Sequence, residues 1–277
     1  MTVYPFILHF GRFEITGYGL MMMVGFLAGS WLVQLELRRH GWREEYASDM
    51  TLAAVIGGII GAKLWYVALT ADPSALFSRG GLVWYGGFLG GSLAVWLNGL
   101  RLRVPTAWTA QLIAPSMAAA YALGRIGCFL VNDDYGRPTT LPWGMKFPQG
   151  MPPSTVANLR DQFGVALPAD LDPSTVLAVH PTQLYEAILM LAAFGVLWAW
   201  RGRAKGTGWL FGLYLVFAGV ERFIIEVLRA KDDRFLGPFT IAQLVSVLLV
   251  AIGLVVMSRL AEAKQVEPGA YLKGGSA

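Results

Sequence analysis

Charge and cysteine are what this chain of 277 residues has least of. Only 14% of its residues are Asp, Glu, Lys or Arg, where soluble domains carry about 25%, so composition argues against a soluble globular protein. The single cysteine, Cys128, excludes an internal disulfide and a cysteine-rich metal site. The three histidines, His9, His40 and His180, are scattered without metal-ligand spacing. Nothing in the sequence asks for a metal or an organic cofactor. The segment from Met1 to Glu14 lacks the basic stretch and small-residue cleavage site of a removed signal peptide, so the first helix is expected to be retained. No internal repeat is visible, which gives an inverted-repeat transporter no support. No span sets a serine beside a histidine, as an intramembrane hydrolase would require.

What the chain does have is hydrocarbon: 55% hydrophobic residues and a mean hydropathy of +0.52. A helix crossing a bilayer needs about 20 apolar residues. Seven windows qualify: Ile15–Leu35, Asp49–Leu69, Leu82–Leu100, Ala107–Leu123, Gln183–Trp200, Gly208–Leu228 and Thr240–Met257. The expected fold is therefore an all-α integral membrane protein of about seven transmembrane helices, occupying residues 1–261. The connection 132–182 contains eight prolines, too many for one long helix. It is expected to form a small irregular cap between the fourth and fifth helices. The polar tail, 262–277, is expected to be disordered.

Basic residues set the orientation. Arg38, Arg39, Arg43, Arg101, Arg103, Arg201, Arg203, Lys205, Arg259, Lys264 and Lys273 fall on one side; Arg12, Arg79, Arg229, Lys231 and Arg234 fall on the other. The richer side faces the cytoplasm by the positive-inside rule. That puts the C-terminus inside, with the N-terminus and the cap outside.

Small residues recur at four-residue spacing, as in Gly25/Gly29, Gly57/Gly61, Gly86/Gly90, Gly87/Gly91 and Gly208/Gly212. Such spacing normally means close helix packing. At Gly86 and Gly87, which follow the polar Tyr85, room for a ligand is the alternative.

The charges inside spans carry the functional reading, because ionisable groups there are expensive. Arg125 lies at the outer end of the fourth window, inside Gly124-Arg-Ile-Gly-Cys-Phe. An arginine at the membrane centre costs roughly 2.5–3.5 kcal/mol on insertion scales, less near the edge. A planar fork of donors at a bilayer rim matches a phosphodiester. In the sixth span Arg222, Glu226 and Arg229 follow an i, i+4, i+7 pattern and share one face. Either Glu226 neutralises the arginines, or Arg222 and Arg125 face one anionic ligand while Glu226 orients a guanidinium. Lys63 either pairs with an acid such as Glu221 or meets a ligand. Asp133 and Asp134 are solvated loop carboxylates or a hydroxyl or proton partner. His180 is a neighbour of a Thr182 helix cap or a base, and Cys128 is apolar filler or a nucleophile.

Several of these segments together resemble the bacterial prolipoprotein diacylglyceryl transferase family: Tyr18-Gly-Leu-Met, Trp84-Tyr-Gly-Gly-Phe-Leu-Gly-Gly, Gly124-Arg-Ile-Gly-Cys-Phe with Asp133-Asp-Tyr-Gly-Arg, His180-Pro-Thr-Gln-Leu-Tyr-Glu, and Glu221-Arg-Phe-Ile-Ile-Glu-Val-Leu-Arg followed by Gln243. The resemblance implies a multi-pass enzyme of the bacterial inner membrane. It would move diacylglyceryl from phosphatidylglycerol to the thiol of a lipobox cysteine in a prolipoprotein, forming a thioether and releasing glycerol phosphate. It implies catalytic roles for Arg125, Arg222 and Tyr85. Substrate-binding roles follow for Arg125, Tyr18, Gly86, Gly87, Asp133, His180, Glu226 and Arg229. The partners would be phosphatidylglycerol, lipobox precursors and the bilayer, not nucleic acid. The chain has Tyr85 where some members have histidine, Cys128 for asparagine, Asp133 for glutamate and Ala218 for tyrosine. Because tyrosine near pKa 10 is a poor base at neutral pH, a position that accepts both implies hydrogen bonding. The competing reading is a multi-span transporter or lipid-binding protein for an anionic solute.

Overall fold

The computed structural model describes residues 1–277 except 12, 78–80, 204, 231–233, 237–238, 264 and 276–277, and at 10, 13, 77 and 234–236 it describes the backbone alone. Of the basic residues that set the orientation, Arg12, Arg79, Lys231 and Lys264 lie outside the described residues, and Arg234 is described by its backbone only.

Among the described residues, seven helices of 18 or more residues form the body: α1 (Gly17–Arg39), α2 (Glu45–Thr70), α3 (Trp84–Arg101), α4 (Thr106–Val131), α6 (Thr182–Trp200), α7 (Trp209–Leu228) and α8 (Ile241–Leu260). A short helix, α5 (Val156–Asp161), lies in the long connection, and a 3-10 turn (Pro73–Phe77) follows α2. Five of the long helices (α1, α2, α4, α6 and α8) are long and apolar enough to cross a membrane. The glycines and Asn98 dilute the hydropathy of α3, while Glu221, Arg222 and Glu226 interrupt that of α7. The faces of α2 and α8 explain the apolar composition. Leu52, Ile56 and Ile59 on α2, and Val247, Leu248 and Val255 on α8, are exposed. A contiguous apolar surface of this kind is a liability in water and suits hydrocarbon.

Two small antiparallel hairpins depart from the all-helical expectation. The first pairs β1 (Ile7–Phe10) with β2 (Phe13–Thr16), Ile7 opposite Thr16. The second pairs β3 (Arg234–Leu236) with β4 (Phe239–Thr240). Each feeds a helix through a threonine cap. Thr16 Oγ1 accepts from Gly19 N at 3.1 Å to start α1. Thr240 and Gln243 exchange reciprocal hydrogen bonds to start α8, satisfying two otherwise orphaned amides.

The fourth helix extends eight residues beyond the predicted window, from Leu123 to Val131. Gly124-Arg-Ile-Gly does not break it, because the glycines face α1. A Cβ on Gly127 would meet Met21 Cβ at 3.1 Å and Tyr18 Cα at 3.2 Å. Gly127 allows close helix approach, while a Cβ on Gly124 would meet only Met22 Sδ, at 3.9 Å. Arg125 consequently sits within α4, a turn and a half from its end.

The segment 132–181 folds back over that end. Asn132 (φ 62°) and Asp134 (φ 55°) adopt left-handed conformations, which Asn and Asp tolerate better than most residues. These two positions reverse the chain after α4. Tyr135, Phe147, Leu159 and Val179 then build a small core of their own with Ala230. Burying a side chain such as Phe147 contributes roughly 1.5–3 kcal/mol. The N-terminal arm joins it, Val3 N donating to Lys146 O at 2.9 Å and Phe6 N to Leu130 O at 2.7 Å.

The tail departs from the expected disorder. Leu272 is fully buried and Tyr271 nearly so, in a cluster with Leu37, Tyr46, Leu102 and Trp108. Tyr271 Oη donates to Asp49 at 2.6 Å, and Trp108 Nε1 donates to Val266 O at 2.7 Å. Two apolar side chains in a polar stretch anchor it across the helix ends.

Candidate active site

The C-terminal turns of α4 and α7 meet the first turns of α6 at one end of the bundle, and their charged side chains converge there. Arg125 is the hub. Its Nε lies 2.7 Å from Glu186 Oε2, its Nη1 donates to Asp134 Oδ2 at 3.1 Å, and its Nη2 donates to Tyr121 Oη at 3.0 Å. Arg222 approaches the other oxygen of the same acid, Glu186 Oε1, at 3.5 Å, and sits 2.7 Å from Glu226 Oε2. Arg229, at the end of α7, donates to Asp134 Oδ1 at 2.9 Å. Glu186 thus joins Arg125 to Arg222, and Asp134 joins Arg125 to Arg229.

Burial divides the acids. The side chains of Glu186 and Glu226 are each 2% exposed, whereas that of Asp134 is 40% exposed. Removing one partner from a buried pair costs about 3–5 kcal/mol, because a charge is stranded away from water. Glu221, next to Arg222, is also buried, and its Oε1 has no hydrogen-bond partner among the described residues.

Backbone contacts fix the loop that delivers Asp133 and Asp134. Thr182 Oγ1 donates to Asp134 O at 2.7 Å, and Gln183 Nε2 donates to Asp133 O. Thr182 therefore braces the loop instead of capping α6, whose N-cap is Pro181 with no side-chain bond. The Asp133 carboxyl, the Asp134 carboxyl and Cys128 Sγ lie within 4.8 Å of one another. Burial, reinforced by the neighbouring Asp134 charge, pushes the Asp133 carboxyl up to about 6, against the pull of Arg125. Burial opposes ionisation of Asp134 as well, but Arg229 and Arg125 outweigh it and hold that carboxyl below its ordinary value.

Of the residues named from sequence, the fold brings together Arg125, Arg222, Glu226, Arg229 and Asp133, with Tyr18 beside Gly127 on α1. His180 stands on an adjoining patch. Its Nδ1 is 3.3 Å from Tyr185 Oη, which accepts from Trp143 Nε1 at 2.7 Å, and burial lowers its pKa. Tyr85 is 64% exposed at the start of α3, with its ring against Trp84. A Cβ on Gly86 would collide with Gly61 O and Trp65 Cβ of α2, so helix packing takes the space there, whereas one on Gly87 would meet Gly58 O and Ala62 only at ordinary contact distance, 3.5 Å and 3.6 Å. Lys63 Nζ donates to Ala75 O at 3.5 Å. Sequence reasoning passed over Glu186 and Tyr121, and weighed Asp134 only as a loop carboxylate or a hydroxyl or proton partner, not as a partner of the arginines. Glu186 closes the His180-Pro-Thr-Gln-Leu-Tyr-Glu segment, and Tyr121 precedes Arg125 by one helical turn, so both had a signal in spacing.

A polytopic helical protein with three guanidinia gathered at one rim has the equipment to hold an oxyanion in a membrane. The chain belongs to the prolipoprotein diacylglyceryl transferase family, whose model matches residues 5–259. It is 32% identical over 252 residues to the phosphatidylglycerol–prolipoprotein diacylglyceryl transferase of Clostridium tetani, covering 88% of this chain and 93% of that one. The enzyme of the same name from Nitratidesulfovibrio vulgaris is 31% identical over 265 residues, covering 90% and 92%. That from Cupriavidus metallidurans is 32% identical over 271 residues, covering 91% and 92%.

Proposed function

We infer that the chain transfers the diacylglyceryl group of phosphatidylglycerol to the thiol of a lipobox cysteine in prolipoproteins, making a thioether and releasing glycerol phosphate. The observation that carries this reading is the Arg125–Glu186–Arg222 bridge, which sets guanidinia from α4 and α7 side by side at a helix rim. The thiolate attacks the terminal glyceryl carbon, the carbon–oxygen bond to phosphate breaks, and the phosphate moves from one negative charge towards two. Fixed cations that meet charge appearing in the transition state are where catalysis is gained. Arg125 and Arg222 take that role, Arg229 supports them, and Glu226 orients Arg222.

A free thiol near pKa 8.5 is only a few per cent thiolate at neutral pH. Asp133, titrating at about 6, is ionised at pH 7 and is a stronger base than an ordinary carboxylate, so it is the favoured acceptor for the thiol proton, ahead of His180. Tyr18 and Tyr85 serve as hydrogen-bond donors to headgroup oxygens, and Gly86 and Gly87 let α3 lie close beside α2. Seven spans, an extracytoplasmic N-terminus and cap, and a cytoplasmic C-terminus complete the arrangement in the bacterial inner membrane, with the site facing outward. Incubating the purified protein with phosphatidylglycerol and a lipobox peptide should add one diacylglyceryl mass to the peptide. An unmodified peptide, with the protein folded, would remove the reading. Reporter fusions at residue 150 and after residue 275 should read opposite sides of the membrane, the second cytoplasmic.

A further inference from the structure

Each of the three guanidinia of the cluster is already matched to a carboxylate: Arg125 to Glu186 and Asp134, Arg222 to Glu186 and Glu226, Arg229 to Asp134. An arriving phosphate, itself anionic, meets a constellation that is neutralised in advance. To be gripped, it must displace an acid. Glu186 and Glu226 are sealed from solvent, and turning either away from its arginine would leave an unpaired charge in the protein interior. Asp134 differs on three counts. Its side chain is substantially exposed, so its carboxylate has water to turn into. Its backbone is held independently, through Thr182 Oγ1 on its carbonyl, so the side chain can leave without unravelling the loop. Its two oxygens go to two different arginines, 3.1 Å to Arg125 and 2.9 Å to Arg229. Two non-bridging oxygens of one phosphodiester would make the same pair of contacts.

We propose that Asp134 is an internal stand-in for the lipid phosphate, occupying the gap between Arg125 and Arg229 until the headgroup displaces it. The proposal rests on the transferase reading and assigns a specificity role to a residue outside the reacting atoms. A solute must outcompete a resident carboxylate at a bidentate seat, so weakly coordinating anions are turned away while a phosphodiester is admitted. When the glycerol phosphate leaves, the carboxylate returns and competes against product rebinding. The neutral Asp134→Asn protein therefore holds phosphates more tightly than the wild type.

The test compares wild-type and Asp134→Asn protein in mixed micelles. It measures the phosphatidylglycerol concentration giving half-maximal transfer to a lipobox peptide, and inhibition by glycerol phosphate and by inorganic phosphate. Half-saturation by lipid should fall about two- to fivefold, the scale of one exposed ion pair, and inhibition by glycerol phosphate should strengthen by a similar factor. Asp134→Ser should act in the same direction, and serves if the asparagine protein does not accumulate. Unchanged or higher half-saturation in both variants would make Asp134 a strut that positions the arginines, and would overturn the proposal. Stronger inhibition by inorganic phosphate with unchanged lipid half-saturation would overturn it too, since the seat would then recognise free phosphate and not the lipid. Wild-type protein that transfers nothing would instead defeat the underlying transferase reading.

Discussion

Helix α6 carries an acid–arginine cluster towards each end, at Glu186 and at the Arg201 cap, roughly 22 Å apart along the helix, and the two are built differently. At the far end from the site, Glu36 of α1 binds Arg39 at 2.5 Å and 3.0 Å, Arg201 at 3.2 Å and His40 at 3.3 Å. Arg201 lies over the Trp198 ring at 4.1 Å. The enclosed space beside it, lined by Leu32, Gln111, Ser116 and Trp198, is about 10 Å³, at most one water. One buried acid there serves two arginines and a histidine, with Trp198 against Arg201 and Trp42 stacked on His40. At the Glu186 end three arginines meet three acids, one of them open to solvent. Arginine density alone does not make a site. A displaceable counter-charge does.

Breaking each hub acid gives the largest contrast. Glu186→Gln and Glu36→Gln should both lower thermal stability, each by about 3–5 kcal/mol if the buried pairs are fully broken. Only Glu186→Gln should also abolish transfer by the protein that remains folded. Equal loss of activity in both would erase the distinction between clamp and site.

Exchanging the cations comes next. Arg125→Lys preserves charge but cannot meet Glu186, Asp134 and Tyr121 together, and transfer should drop about 100-fold, the worth of one or two charge-assisted hydrogen bonds. Arg201→Lys should leave it within about twofold. Adding Arg222→Lys to Arg125→Lys should cost less than the sum of the single effects, since both grip one group. A lysine at 125 that supports near-normal thioether formation would mean that it snorkels, and would remove the phosphate clamp.

Tyr85 offers a middle-sized effect. Tyr85→Phe should slow transfer about 10- to 100-fold if the hydroxyl donates to the headgroup, while Tyr85→His should retain most of the rate. Equal rates would leave Tyr85 as a lipid-facing ring, which is how its exposure presents it.

The smallest effect is in the pH profile. With Asp133 at about 6, transfer should fall by about tenfold at pH 5 as the carboxylate is protonated, and Asp133→Asn should lack that limb. The stability sign is opposite. A carboxyl raised above its unfolded value binds its proton more tightly when folded, so its contribution grows as pH falls through about 6 and is lost above it.

The helices were legible because their signal is local: long apolar windows, glycine spacing, and charges at i and i+4. The arginines were legible for the same reason, being conspicuous against hydrocarbon. Glu186 and Asp134 were harder. A carboxylate near a helix start or in a loop is ordinary until the fold puts an arginine opposite, and the partners are 61 and 9 residues away in sequence. The tail was illegible because one apolar pair, Tyr271-Leu272, has no period to reveal it. The hairpins were missed because strands of four residues or fewer fall below any windowed signal.

The glycine seam between α2 and α3 has a mechanical consequence. Gly57 and Gly61 of one helix face Gly86 and Gly90 of the other, and a Cβ added at any of the four would collide with the partner's main chain. With backbone against backbone, and Ala62, Trp65 and Ala94 the side chains that reach the seam glycines, there is little to shear or repack, so the two helices should move as one stiff leaf. Tyr85, in the first turn of α3, therefore travels with α2 as well as with its own helix.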